Sequence, residues 1–194
     1  MKGRSLLLIV GAAAVAGCGN PTGITANLDT FSTVLTVFAF SGTPLSAPTG
    51  IDTYGGRTVV TDGSSTADVI FDIRNGQAVA IPPLAITGIA NAGIQKVSGP
   101  FDSLLTAPAS GYNDSTAIDI AVGDVLAVQA QPSACSNILG LSPFIYSKMQ
   151  VTAVNTSDTT VTTPSVMPPR TIQVTLVVDP NCNFRSLAPG VPTS

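Results

Sequence analysis

Alternation of apolar and polar residues is the dominant pattern of this chain. Ile172, Val174, Leu176 and Val178 are interleaved with Thr171, Gln173 and Thr175. A period of two places one set on a core and the other toward solvent, so this segment predicts a half-buried strand. Ile145, Ser147, Met149, Val151 and Ala153 form one face of a second strand, with Tyr146, Lys148, Gln150 and Thr152 on the other. Val69, Phe71 and Ile73 oppose Asp68, Asp72 and Arg74 in a third. Asn75-Gly76 follows directly, then Gln77 to Ile81, which is a strong hairpin signal. A two-residue turn would pair Ile73 with Ala78 and leave Val79 and Ile81 on the charged face. A three-residue loop pairs Ile73 with Val79 and Phe71 with Ile81, gathering the large apolar side chains on one face. The second register is the one the pattern predicts.

Other elements are less regular. Leu28 to Phe40 is an apolar run with mixed period and many β-branched and aromatic residues, which predicts a strand buried on both faces. Residues 42–56, rich in Gly and Pro, read as loop, and Arg57 to Thr61 as a short strand before Asp62-Gly63. Leu84 to Val97 reads as strand or irregular chain, and 98–114 as loop. Ile118, Ile120 and Val122 alternate with Asp119 and Ala121; Gly123-Asp124 turns the chain into a strand over Val125 to Ala130. Residues 155–169 are a Thr/Ser/Pro loop. Short strands, roughly seven to ten, with turn residues between them and no amphipathic helix, predict an all-β domain. The expected architecture is an antiparallel β-sandwich, Ig-like only in the loose sense, or a small barrel.

The N-terminus follows a different rule. Lys2 and Arg4 precede an apolar stretch from Ser5 to Ala16, and Val15-Ala16-Gly17 leads into Cys18. The stretch is too short to span a bilayer and has the layout of an export signal. Val15-Ala16-Gly17-Cys18 resembles the lipobox of bacterial lipoproteins cleaved by signal peptidase II. That resemblance implies that residues 1–17 are removed and that Cys18 becomes an acylated N-terminus anchored in the lipid bilayer. Gly19-Asn20, with no aspartate after the cysteine, points within that family to the outer membrane. The organisation that follows is a signal peptide over 1–17, a tether over 18–27, one domain over 28–187 and a flexible tail over 188–194.

Composition narrows the chemistry. The chain has no histidine, and it also lacks glutamate and tryptophan. Ser-His-Asp and Cys-His catalysis and imidazole-built zinc sites are therefore excluded within the chain. Without Lys2 and Arg4 six basic residues face eleven aspartates, a net charge of −5 that offers no basic patch for nucleic acid. Ser64, Ser65, Ser103 and Ser110 lack a base, because Lys96 and Lys148, the lysines left after signal removal, do not lie in an S-x-x-K pattern. Asp114, Asp119 and Asp124, and separately Asp62 with Asp68, offer oxygen to a hard cation but match no calcium-loop spacing; turn capping and a solvated face account for them. Asp72 and Asp119 are the aspartates expected to be partly covered. Asn113-Asp114-Ser115 and Asn155-Thr156-Ser157 match the glycosylation sequon by chance.

Cys135 and Cys182 remain as an even pair in an exported chain and are expected to form a disulfide. Tyr54, Tyr112, Tyr146, Phe101 and Phe144 lie in loops or near strand ends, where an aromatic ring could stack on a sugar or line an apolar pocket. Two further stretches carry resemblances. Val122-Gly123-Asp124-Val125, Tyr146 to Val151 and Thr171 to Val174 resemble the all-β C-terminal half of haem-scavenging lipoproteins, where a GD-V strand precedes a Y-x-K-x-x-V strand. This implies a β fold; the histidines that ligate haem in that family have no counterpart here. Val178 to Leu187 resembles the end of uncharacterised bacterial lipoproteins. The expected function is non-enzymatic and cofactor-free: an envelope lipoprotein that presents a β-domain to a partner protein or glycan. The alternative is a carrier of a small apolar ligand in a sandwich or barrel cavity.

Overall fold

A computed structural model describes residues 25–62, 66–136, 144–156 and 170–192. Within these described residues, ten strands form two five-stranded antiparallel sheets. In chain order they are β1 (Phe31–Phe38), β2 (Pro48–Asp52), β3 (Arg57–Val60), β4 (Val69–Arg74), β5 (Gln77–Ile81), β6 (Ala92–Val97), β7 (Ile118–Ile120), β8 (Val125–Ala130), β9 (Ile145–Asn155) and β10 (Thr171–Asp179). One sheet has the order β1-β10-β9-β8-β6, the other β3-β2-β4-β5-β7. The two face each other as a sandwich and do not close into a barrel.

Alternation explains the interlayer core. Ile172, Val174, Leu176 and Val178 of β10 point inward beside Met149 and Val151 of β9 and Leu126 and Val128 of β8. Val69, Phe71 and Ile73 of β4 and Ile120 of β7 meet them from the second sheet. In β9 the alternation breaks once. A bulge opposite Gln173 and Val174 shifts the register, so Val154 packs toward the core and Ala153 is exposed. The expectation that Ala153 shares the Ile145 face is corrected by that bulge.

Further sequence expectations change for physical reasons. β1 is an edge strand with one buried face: Val37 is fully buried, whereas Val34 is 59% exposed. Segment 42–56 contains β2, although Pro48 and Gly50 look like loop residues. Gly50 is needed because a Cβ there would lie 2.7 Å from the Ala67 Cβ. Leu84 to Val97 splits into a single helical turn, α1 (Leu84–Thr87), and β6. Val122 lies outside β7 and is exposed.

The hairpin takes the shorter turn. Asn75 and Gly76 both have positive φ, 52° and 79°, as a type I′ turn requires. Arg74 therefore pairs with Gln77, Ile73 with Ala78 and Phe71 with Ala80. Val79 and Ile81 lie on the side of Asp72, as the rejected register demanded. That side is not solvent: Ile70, Val79, Ile81 and Ala67 form a second apolar cluster under Phe40, Val59 and Ile86. A third cluster covers the outer face of the other sheet, where Tyr146, Ala107 and Leu187 are joined by Leu104, Tyr112 and Phe144. The sandwich thus has a main core and a thinner apolar layer on each outer face.

The segments flanking the domain are tied to it. Asn181 Oδ1 accepts hydrogen bonds from the backbone N–H of Asn27 and Leu28, and its amide donates to Leu28 O at 2.7 Å. The Thr30 hydroxyl donates to Ala188 O, and its N–H to Gly190 O.

Candidate functional site

The outer face of the β9 sheet is where side chains of chemical interest converge. Tyr146 and Lys148 project there from β9, Gln129 from β8, and Gly93 and Gln95 from β6. Register places Gly93 opposite Gln129, and Gln129 opposite Tyr146. The segment 98–113 folds over this face. It is pinned at one end by Ile94 and Asn113, which exchange two backbone hydrogen bonds of 2.9 and 2.8 Å. It is pinned farther along by Ala107 N–H donating to Arg185 O and by Leu187 N–H donating to Leu105 O.

Lys148 is the third fastening. It is only 3% exposed, and its ammonium donates to the carbonyls of Phe101 and Leu104, both at 3.0 Å. The same Nζ lies 4.6 Å from the Phe101 ring centroid. Burial pushes the Lys148 amine down, with Asp102 opposing. The group thus serves as a buried clamp on the short helical turn Phe101–Ser103. Alternation assigned Lys148 to the solvent side of β9. The side was right, but the covering loop was not visible in the pattern.

Beside this covered region lies a cleft of about 200 Å³ at the start of β6 and the end of β8. Its floor contains Gly93, where a Cβ would lie 2.9 Å from the Tyr112 Cβ, so only glycine lets Tyr112 sit against the strand. Tyr112 and Phe144 supply aromatic surface, and Asn91, Gln129 and Gln131 supply carboxamides. Tyr112 donates to Pro108 O at 3.0 Å and stands 6.3 Å from the Tyr146 ring, tilted by 52°. Gln129 Nε2 donates to the Tyr146 hydroxyl at 3.0 Å. Burial pushes the Tyr112 phenol up, so it stays a neutral donor. Asp114 adds one carboxylate at the wall. Tyr112, Tyr146 and Phe144 are thus brought together, Phe101 is engaged with Lys148, and Tyr54 stands apart in the β2–β3 turn.

The aspartates scatter. Asp119 is exposed on β7. Asp124 pairs with Lys96 at 2.6 Å and accepts from Ala121 N–H. Asp114 is exposed beside the Asn113 turn, in which Asn113 Oδ1 accepts from the N–H groups of Ser115 and Thr116. Among the described residues no three metal-ligating side chains cluster. Asp72 is fully buried, accepting from Ser41 N–H and hydroxyl, Ile73 N–H and Arg74 Nε. Burial pushes its carboxyl up, and those hydrogen bonds outweigh burial and leave it below the usual range. Asp68 is buried with both Thr53 donors on Oδ2, at 2.8 and 2.6 Å, yet burial dominates and pushes it up to about 6. Of the two aspartates expected to be partly covered, Asp72 is buried, but Asp119 is exposed on β7, which corrects that expectation; Asp68, which alternation places on the solvent side, is buried.

Cys135 is fully buried after β8, and Cys182 follows β10; their Cα atoms are 5.8 Å apart, within disulfide range. Cys18, Ser64 and Ser65 lie outside the described residues. Ser103 donates to Pro100 O at 2.7 Å, and Ser110 is exposed. No family model, curated protein or solved structure matches the chain.

Proposed function

We propose that this chain is a non-enzymatic lipoprotein of the cell envelope, anchored through acylated Cys18 and presenting its β-sandwich to an envelope protein or glycan. The observation that carries the binding reading is the use made of three buried ionisable groups. Lys148 clamps a loop, Asp72 ties Ser41 and Arg74 to β4, and Asp68 holds Thr53 in the β2–β3 turn. Each has structural partners, and the hydroxyls that meet the two carboxylates, Ser41 on Asp72 and Thr53 on Asp68, serve to tie loops to β4. General acid–base or nucleophilic chemistry needs such a group facing a reacting atom. The anchor rests on the Val15-Ala16-Gly17-Cys18 motif and the apolar stretch before it. Gly19-Asn20 supports an outer-membrane location.

The carrier reading has less support. Phe71, Met149, Leu126 and Leu176 fill the space between the sheets where an apolar ligand would sit. The binding reading is tested by photocrosslinking in intact cells, with the crosslinking residue placed at exposed positions around the cleft, such as Gln131. A discrete envelope species crosslinked there, and not from exposed Leu45 at a distance, is the expected result. Uniform labelling from both positions would refute it.

A further inference from the structure

We infer that the cleft between β6, β8 and Tyr112 is a binding site for a neutral saccharide ring; this rests on the binding reading above and deepens it. The lining has the composition such a ligand needs. Tyr112 and Phe144 offer apolar ring faces against which the C–H face of a pyranose can stack. Asn91, Gln129 and Gln131 offer carboxamides, each able to donate and accept, which suits hydroxyl and acetamido groups. Lys and Arg are missing from the described lining, so a phosphate or carboxylate would find no counter-charge, while Asp114 would repel it.

The frame is rigid where a recognition site must be. Gly93, Gln129 and Tyr146 are adjacent across three hydrogen-bonded strands. Tyr112 is fixed by the Ile94–Asn113 bridge and by its bond to Pro108 O. That same bridge occupies the outer edge of β6 at Ile94, so an extended peptide cannot add there as a sixth strand. Of the four buried side-chain atoms left without a hydrogen-bond partner among the described residues, one lies at the cleft. Asn91 Oδ1 is buried at the cleft wall with no hydrogen-bond partner among the described residues. A buried acceptor left unpaired costs stability, so its retention needs another reason. Rotation of the amide would present that oxygen to a ligand O–H or N–H in the cleft.

The test uses the full-length protein, isotope-labelled, extracted from membranes and held in a detergent without a sugar headgroup. Maltotriose, chitotriose and a galacturonate trisaccharide are titrated while the amide resonances of Asn91, Gly93, Gln129 and Gln131 are followed. Saturable shifts confined to these residues with at least one neutral trisaccharide, at a Kd of about 0.1–10 mM, are expected. Gln131→Ala and Asn91→Ala should each weaken that binding by about tenfold or more. Asn91→Ala should leave the melting temperature unchanged or raise it, which a purely structural asparagine would not do. Three results would overturn the assignment: silence with both neutral sugars, tighter binding of the acidic one, or shifts that both variants leave intact. A crosslinked envelope protein together with silent sugars would overturn the saccharide site and leave the binding reading standing.

Discussion

Asp68, just before β4, and Asp72, within it, shift in opposite directions although burial pushes both carboxyls up. Asp72 accepts four hydrogen bonds, one of them charge-assisted by Arg74, and these outweigh the desolvation of its carboxylate. Asp72→Ala leaves the Ser41 N–H and the Arg74 head without their acceptor, and should cost about 3 kcal/mol in urea unfolding at pH 7. Because the folded carboxyl titrates below the unfolded value near 3.9, its contribution is present above that value. It is lost as pH falls through the folded pKa. Asp68 runs the other way. Its folded pKa is pushed up to about 6, so the folded state holds the proton more tightly than the unfolded chain. Its contribution is full below about pH 4 and falls as pH rises to about 6. The stability lost on making Asp68→Asn should therefore be larger at pH 4.5 than at pH 7. Equal losses at both pH values would contradict the assignment.

At the level of elements, Lys148 makes the clearest claim. Its ammonium holds the 98–113 segment against β9 through two carbonyls of one helical turn. Lys148→Met keeps the bulk and removes the donors, leaving the Phe101 and Leu104 carbonyls under-satisfied. It should cost about 2 kcal/mol and speed hydrogen exchange of the Ser103 and Leu104 amides, with β10 amides little changed. This element also shows how far the sequence could be read. Alternation found β4, β5, β8, β9 and β10 and told which side of β9 each residue occupies. It could not tell whether that side was covered. Covering depends on long-range contacts such as Thr106 with Ser186, which leave no periodic trace. The same blindness chose the wrong hairpin register. Val79 and Ile81 seemed misplaced beside Asp72, when in fact Phe40 and Ile86 bury them. β2 was missed because its Pro and Gly mimic a loop. The aromatic residues of the cleft are legible in the sequence from their places in loops and near strand ends; the carboxamides that meet them are not, since Asn91, Gln129 and Gln131 carry no spacing signal.

For the whole molecule, the two thin outer clusters and the Cys135–Cys182 pair close the sandwich on three sides of its main core. The cysteines lie 47 residues apart in sequence and join the exit of β8 to the exit of β10. Quantitative thiol labelling of denatured, unreduced protein should find neither of them free. A double Cys135→Ala, Cys182→Ala variant should lose about 4 kcal/mol, the loop-closure term for a span of that length. The anchored domain is the central claim, and an acyl-modified Cys18 is its premise. Two or more acyl chains, at ~0.8 kcal/mol per buried methylene, would make membrane attachment effectively permanent. The most direct measurement is the intact mass of protein extracted from the membrane fraction. The predicted mass is that of residues 18–194 plus a diacylglyceryl group, with or without one further N-acyl chain. A mature chain that starts at any other residue, or that carries Cys18 as a free thiol, would contradict the account.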